Sequence, residues 1–147
     1  MYEIREMQID DLDQVVQIEE DNFSVPWTAN GFFTFLIRED ALFLVAEEEG
    51  EILGYLGILI SMDEGEITNV CVTKKARRRG IGKALLLELI RRMDMQGVFT
   101  IHLDVRKSNT PAITLYESLG FVQDGLRRQY YELPKEDAIL MSRKTVG

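Results

Sequence analysis

The chain has 147 residues, 46% hydrophobic and 29% charged, with 25 acidic against 17 basic side chains and a formal net charge of −8. That suits a single domain over residues 1–147, and a sequence pI near 4.7 disfavours nucleic-acid binding, which calls for a broad basic face. No apolar run reaches the roughly 18 residues of a membrane span and the N-terminus lacks the character of a signal peptide, so a soluble, cytoplasmic protein is expected.

Residues 2–6 alternate as a short strand, and Asp10-Asp11 is placed to cap a helix that turns Leu12, Val15, Val16 and Ile18 inward. Phe23-Ser24-Val25-Pro26-Trp27 interrupts it, because Pro26 has no amide to continue the helix; Thr28 can then cap a second helix through Phe32, Phe33, Leu36 and Ile37. The elbow at Pro26-Trp27 reads either as core or as the wall of a substrate site. Residues 42–46 and 52–61 form a hairpin about Gly50, a turn follows over 62–65, and the next strand spans 66–73.

The stretch from Val70 to Leu89 reads as strand, cationic glycine loop and helix. Ile81, Leu85 and Leu89 recur at helical spacing, and Leu86, Ile90 and Met93 widen the apolar stripe. Six of the 17 lysines and arginines lie between Lys74 and Lys83. The first turn of a helix has free amides and a positive dipole end, so Arg77, Arg78, Arg79 and Lys83 repel it unless an anion sits among them. Gly80 and Gly82 leave the backbone open to phosphates; the alternative is a solvated helix start. A nucleotide P-loop would need Ser or Thr after Lys83, where this chain has Ala84, and the dinucleotide fingerprint would need a third glycine. The pattern Arg77-x-x-Gly80-x-Gly82 after an apolar strand resembles the acetyl-CoA loop of the GNAT acetyltransferase superfamily.

Gln96-Gly97 ends that helix, residues 98–105 make a strand, and Pro111 opens a helix that stops at Gly120. Strand, helix and strand in succession make the two strands parallel neighbours. Three strand-like segments follow, over 121–124, 128–133 and 138–142, giving a mixed α/β fold around one central sheet. Asp104 is an unusual strand residue, on the face opposite Leu103 and Val105 and beside His102; it reads as a surface carboxylate or a catalytic one. Tyr116 reads as a buried aromatic or a phenol acid, and Asn109 as a helix cap. With one cysteine and one histidine, neither a disulfide nor a cysteine- or histidine-built metal cluster is available, so metal-free chemistry is expected.

A closer resemblance runs through separated blocks: Asp104-Val105-Arg106-x-Ser108-Asn109, Ala112-Ile113-x-Leu115-Tyr116-Glu117-Ser118-Leu119-Gly120-Phe121, Arg127-Arg128-x-Tyr130-Tyr131 and Glu136-Asp137-Ala138-Ile139-x-Met141. With Pro26-Trp27 and Asn69-x-x-Val72, these blocks resemble the ribosomal-protein-alanine N-acetyltransferases of the RimI type within the GNAT superfamily. The resemblance implies the GNAT fold, a mixed central sheet flanked by helices with a parallel strand pair splayed around acetyl-CoA. It implies that the backbone of Val70, Cys71 and Val72 pairs with the pantetheine arm and that the loop Arg77, Arg78, Arg79, Gly80, Ile81, Gly82 and Lys83 holds the pyrophosphate. Asn109 would contact the cofactor. Tyr116 would protonate the leaving thiolate, Asp104 would deprotonate the α-amine through water, and Pro26, Trp27, Tyr130 and Tyr131 would line the peptide groove. The Cys71 side chain reads as core. The partner implied is the basic N-terminus of a ribosomal protein, met by a monomer or weak dimer.

Aspartate at the base position departs from the usual glutamate and is shorter by one C–C bond, about 1.5 Å. Glu66 is therefore a second candidate, falling where the histone-lysine branch of the superfamily carries its catalytic glutamate; its other reading is a solvated strand start. A peptide α-amine, with a reference pKa of about 8 against roughly 10.4 for lysine, needs only a modest base. The alternatives to α-amine acetylation are a GNAT enzyme acting on lysine side chains or small amines, and a catalytically weakened acyl-CoA sensor.

Overall fold

In a computed structural model of the chain, residues 1–145 are described and form a seven-stranded sheet with helices on both faces. The strands are β1 (Glu3–Glu6), β2 (Ala41–Glu48), β3 (Glu51–Ser61), β4 (Glu64–Val72), β5 (Thr100–Arg106), β6 (Val122–Glu132) and β7 (Lys135–Lys144). The helices are α1 (Leu12–Asn22), α2 (Ala29–Leu36), α3 (Ile81–Gln96) and α4 (Thr110–Ser118). Strand order is β1-β2-β3-β4-β5-β7-β6, with β4 and β5 parallel and the other pairs antiparallel.

Strand β3 is apolar on both faces because both are covered. On one, Leu44, Leu56 and Ile58 meet Ile81, Leu85, Leu89 and Met93 of α3. On the other, Phe43, Val45, Tyr55 and Cys71 meet Val15 and Ile18 of α1 and Phe32 of α2. Burying each such side chain contributes about 1.5–3 kcal/mol. No helix of the described residues is long and apolar enough to cross a membrane.

Several local expectations need correction. A 3₁₀ turn, Ile9–Asp11, precedes α1, and the Asp11 carboxylate turns back to accept from the Gln8 amide (2.7 Å) and the Arg5 guanidinium (2.8 and 2.9 Å). The turn expected over 62–65 is tighter, since Ser61 pairs with Glu64 across Met62-Asp63. The strand expected from residue 98 begins at Thr100. Residues 122–132 are one edge strand rather than two segments: the chain absorbs Asp124 and residues 128–130 as slips in register against β7 and does not turn. Thr28 does cap α2, accepting the Gly31 amide at 3.1 Å.

The feature that positions a site is the short pairing of β4 with β5. Glu64, Gly65 and Glu66 pair with Thr100, Ile101 and His102, and there the pairing ends. Just beyond, Thr68 is an extra residue in β4, since Gly57 pairs with Asn69 and Ile58 with Ile67. A bulge bends and twists its strand, and past it β4 leaves β5. It also resets the alternation: Ile67 faces α3, whereas Cys71, an even number of residues on, faces α1 and α2.

Opposite the bulge, a Cβ on Gly57 would lie 2.4 Å from the Phe43 ring. Gly57→Ala is expected to cost about 1–3 kcal/mol through overpacking, read as a lower urea midpoint. An unchanged midpoint would mean that Phe43 has room to yield.

Candidate active site

Where β4 and β5 part, a cleft of about 760 Å³ opens. Its walls come from five places: β4 (Ile67 to Val70), β5 (Leu103 to Arg106), the end of α1 with the following elbow, α4 with its cap, and the β6–β7 turn with the end of β6. Alternation along β5 buries Leu103 and Val105 and leaves Asp104 half-buried in the cleft. Among the described residues the Asp104 carboxylate has no hydrogen bond or ion pair, so its lone pairs are available to a ligand or water.

Helix α4 delivers two more residues. Asn109 caps it, Oδ1 accepting the Ala112 amide at 3.3 Å, and also lines the cleft. Tyr116, in the last turn of the helix, is 8% exposed, packs on Phe121 (5.8 Å between ring centres) and lines the same cleft. Burial pushes its phenol up to about 12, so it stays protonated at neutral pH and can serve as a proton donor. Tyr131 is also pushed up to about 12, first by burial and then by the charge of Asp104.

The roof is tied together by hydrogen bonds. The Arg106 guanidinium lies 4.3 Å from the Tyr131 ring centre and donates to the carbonyls of Leu133 (3.2 Å) and Pro134 (2.9 Å). The Ser24 hydroxyl donates to the Leu133 carbonyl from the α1–α2 elbow. Tyr130 stands edge-on to Tyr131 at 5.1 Å. Trp27 combines both of its readings: it lines the cleft and packs on Phe32 (5.2 Å) and Phe35 (5.0 Å). Pro26 is half-buried outside the cleft lining. Glu66 also lies outside it, exposed in the part of β4 that still pairs with β5.

Beyond β4, the glycine loop places Arg78 (φ 71°) and Gly80 (φ 76°) in left-handed backbone. The first α3 bond runs from the Ala84 amide to the Gly80 carbonyl, so the amides of Ile81, Gly82 and Lys83 have no intrahelical acceptor. The side chains of Ile81 and Cys71 are buried, leaving only their backbones for a ligand, and burial pushes the Cys71 thiol up to about 11. Val70 lines the cleft, and Val72 lies beside Gly82. The loop cations are not all gathered on one anion site. Arg79 is turned to Glu48 (2.7 and 3.0 Å) and Tyr2, and Arg77 donates to Asn22 (2.9 Å); Arg78 and Lys83 make no ion pair among the described residues.

Glu19 escapes a reading that follows apolar positions alone. It lines the cleft while 3% exposed, and accepts from the Tyr55 hydroxyl (2.5 Å) and the Trp27 amide (3.0 Å). The available signal was position: residues 12, 15 and 19 share one face of α1, so a glutamate lies within its buried stripe.

A splayed parallel pair, a helix N-terminus with free amides, and a cleft holding a free carboxylate and a protonated phenol form an arrangement that can support acyl transfer. Residues 12–121 match the Acetyltransferase (GNAT) family, and the chain belongs to that family. More particularly, it is similar to the ribosomal protein bS18-alanine N-acetyltransferase of Escherichia coli (strain K12), with 34% identity over 97% of each chain. It is 37% identical to the enzyme of that name from Salmonella typhimurium over 90% of each chain. The crystal structure of the E. coli ribosomal-protein-S18-alanine N-acetyltransferase superposes with a TM-score of 0.92 at 34% identity, covering 100% of this chain and 97% of that one.

The buried phenols set an alkaline limit. Tyr116 and Tyr131 rise from about 10 unfolded to about 12 folded, so the unfolded chain releases these protons first and stability falls as pH climbs through that interval. Tyrosinate absorbance should show these protons released late in the folded protein, with Tyr116→Phe removing one of them. Release of every phenolic proton by about pH 10.5 in the folded state would contradict the burial described.

Proposed function

We propose that this chain transfers the acetyl group of acetyl-CoA to the N-terminal α-amine of a protein, the target being a ribosomal protein that begins with alanine. The observation that carries the reading is the shared cleft of Asp104 and Tyr116 at the β4–β5 splay. Full-length similarity to bS18-alanine N-acetyltransferases supports the choice of amine and target. The net charge of −8 suits a basic N-terminal segment. The proposed catalyst is the whole chain acting as a single domain in the cytoplasm.

The residues present fit the co-substrate. The free amides of Ile81, Gly82 and Lys83, with the uncommitted side chains of Arg78 and Lys83, suit a pyrophosphate. The edge of β4 from Val70 to Val72 has no β5 partner and suits the amide-bearing arm, with Asn109 nearby as a polar contact. When bound, acetyl-CoA supplies an acyl thioester as electrophile. Asp104 takes the amine's proton through an intervening water, which closes the gap left by its shorter side chain. Tyr116 returns a proton to the departing sulfur, and the β4 amides offer hydrogen bonds to the carbonyl oxygen as charge develops on it. Glu66, exposed before the splay, has no part in this scheme.

Mass spectrometry after incubation with acetyl-CoA and two peptides tests the reading, one beginning Ala-Arg and lacking lysine, the other α-blocked and containing lysine. Acetylation of the first alone is expected; acetylation of the second alone would overturn the α-amine assignment. Tyr116→Phe should lower turnover by about a hundredfold while leaving acetyl-CoA affinity within about twofold, and unchanged turnover would remove its acid role. At Gly82 an added Cβ meets only ordinary contacts at 3.7 Å, so the fold itself does not demand glycine. Gly82→Ala should therefore keep the melting temperature and weaken acetyl-CoA binding; unaltered binding would remove the loop from the cofactor site.

A further inference from the structure

Glu19 is a buried anion on the cleft wall, and among the described residues no lysine, arginine or histidine pairs with it. Its oxygens hold three neutral donors: the Tyr55 hydroxyl and the Asn69 amide NH₂ (3.5 Å) on Oε1, and the Trp27 backbone N–H on Oε2. A buried carboxylate held only by neutral donors keeps its full charge uncompensated, and a low-dielectric wall transmits that charge into the cleft.

The second observation comes from Asn69, 7% exposed and also on the cleft wall. Glu19 can only accept, so it fixes which end of the Asn69 amide faces it: the NH₂ is spent there and Oδ1 is left over. Among the described residues Oδ1 is buried without a hydrogen-bond partner, as is the hydroxyl of neighbouring Thr68 at the bulge. Unpaired buried acceptors are uncommon and call for a reason. An uncompensated negative charge and leftover acceptors on one wall ask for the same group, a cation rich in N–H donors.

We propose that Glu19 and Asn69 are the amine-recognition pair of the cleft, the carboxylate supplying counter-charge for the substrate's α-ammonium and Asn69 Oδ1 accepting one of its N–H bonds. The inference rests on the α-amine reading above and deepens it. It divides the labour between two walls: recognition on α1 and β4, proton transfer on β5 and α4. Glu19 is not a second base, because its oxygens are already engaged by three donors. It acts as a positioning residue, holding the amide of Asn69 in the one orientation that leaves an acceptor free.

The test compares binding of two peptides to the CoA-saturated protein by calorimetry: one beginning Ala-Arg, and its des-amino analogue in which propionyl replaces alanine. The unmodified protein should prefer the free amine by about tenfold or more, and Glu19→Gln and Asn69→Ala should each reduce that preference below about threefold with CoA affinity unchanged. A general loosening of the fold would weaken both peptides together and leave their ratio intact, which would overturn the proposal. If Glu19→Gln does not fold, Asn69→Ala decides alone. Loss of CoA affinity in Asn69→Ala, with the preference kept, would assign the free acceptor to the cofactor and overturn it. So would a parent protein that acetylates the Ala-Arg peptide yet binds both peptides equally. A parent that acetylates only lysine removes the α-amine reading itself, and this pairing with it.

Discussion

Everything in this molecule depends on a gap in the middle of a sheet. Backbone amides and carbonyls are obligatory hydrogen-bonding groups, and strands in a sheet interior normally satisfy them on both sides. Here β4 and β5 share three residue pairs and then part. The gap is tolerable because each strand is secured on its far side: β4 pairs with β3 through Val72, and β5 pairs with β7 over its whole length, Thr100 to Arg106. What would be a defect in an ordinary sheet becomes a slot whose wall carries hydrogen-bonding groups in strand spacing.

The packing around the slot gives each of its margins a rigid support. Helix α3 rests on the sheet through Leu85, Leu86, Leu89 and Met93, all fully buried, which fixes its N-terminus beyond the end of β4. Tyr116 belongs to the same hydrophobic cluster, so the proposed proton donor is held by core packing rather than by a loop. On the opposite face, Tyr55 contributes its ring to the second cluster and its hydroxyl to Glu19, joining the interior of the fold to the cleft wall. The elbow after α1 and the turn before β7 are less deeply anchored, and they meet through the Leu133 carbonyl.

What could be read from the sequence followed the strength of local signals. Periodicity located α3, proline and threonine located the elbow and α2, and the order of strands and helices implied the parallel pair. Asp104 drew notice because it is a charged residue in an apolar strand. The bulge at Thr68 was not legible, because an extra residue in a strand leaves no mark in composition and appears only against its partner. Partnership of charges was equally hidden: Arg79 and Arg78 look equivalent in sequence, yet only Arg79 finds Glu48, some thirty residues earlier in the chain. The sequence suggests two segments, 121–124 and 128–133, with a break between them; the pairing with β7 carries one strand through that break.

That irregular strand has a consequence of its own. Edge strands are open templates on which another copy of a chain can build, and a long, straight one beside a cleft would invite such growth. β6 is eleven residues long and lies at the sheet margin, but it slips register twice, holds Gln129 in left-handed backbone and carries Arg127 and Arg128 in succession. An edge bent in this way offers fewer aligned unpaired groups to a second strand than a regular one of its length would. The slips and adjacent arginines interrupt the open edge at the margin whose last residues, Tyr130 to Glu132, line the cleft.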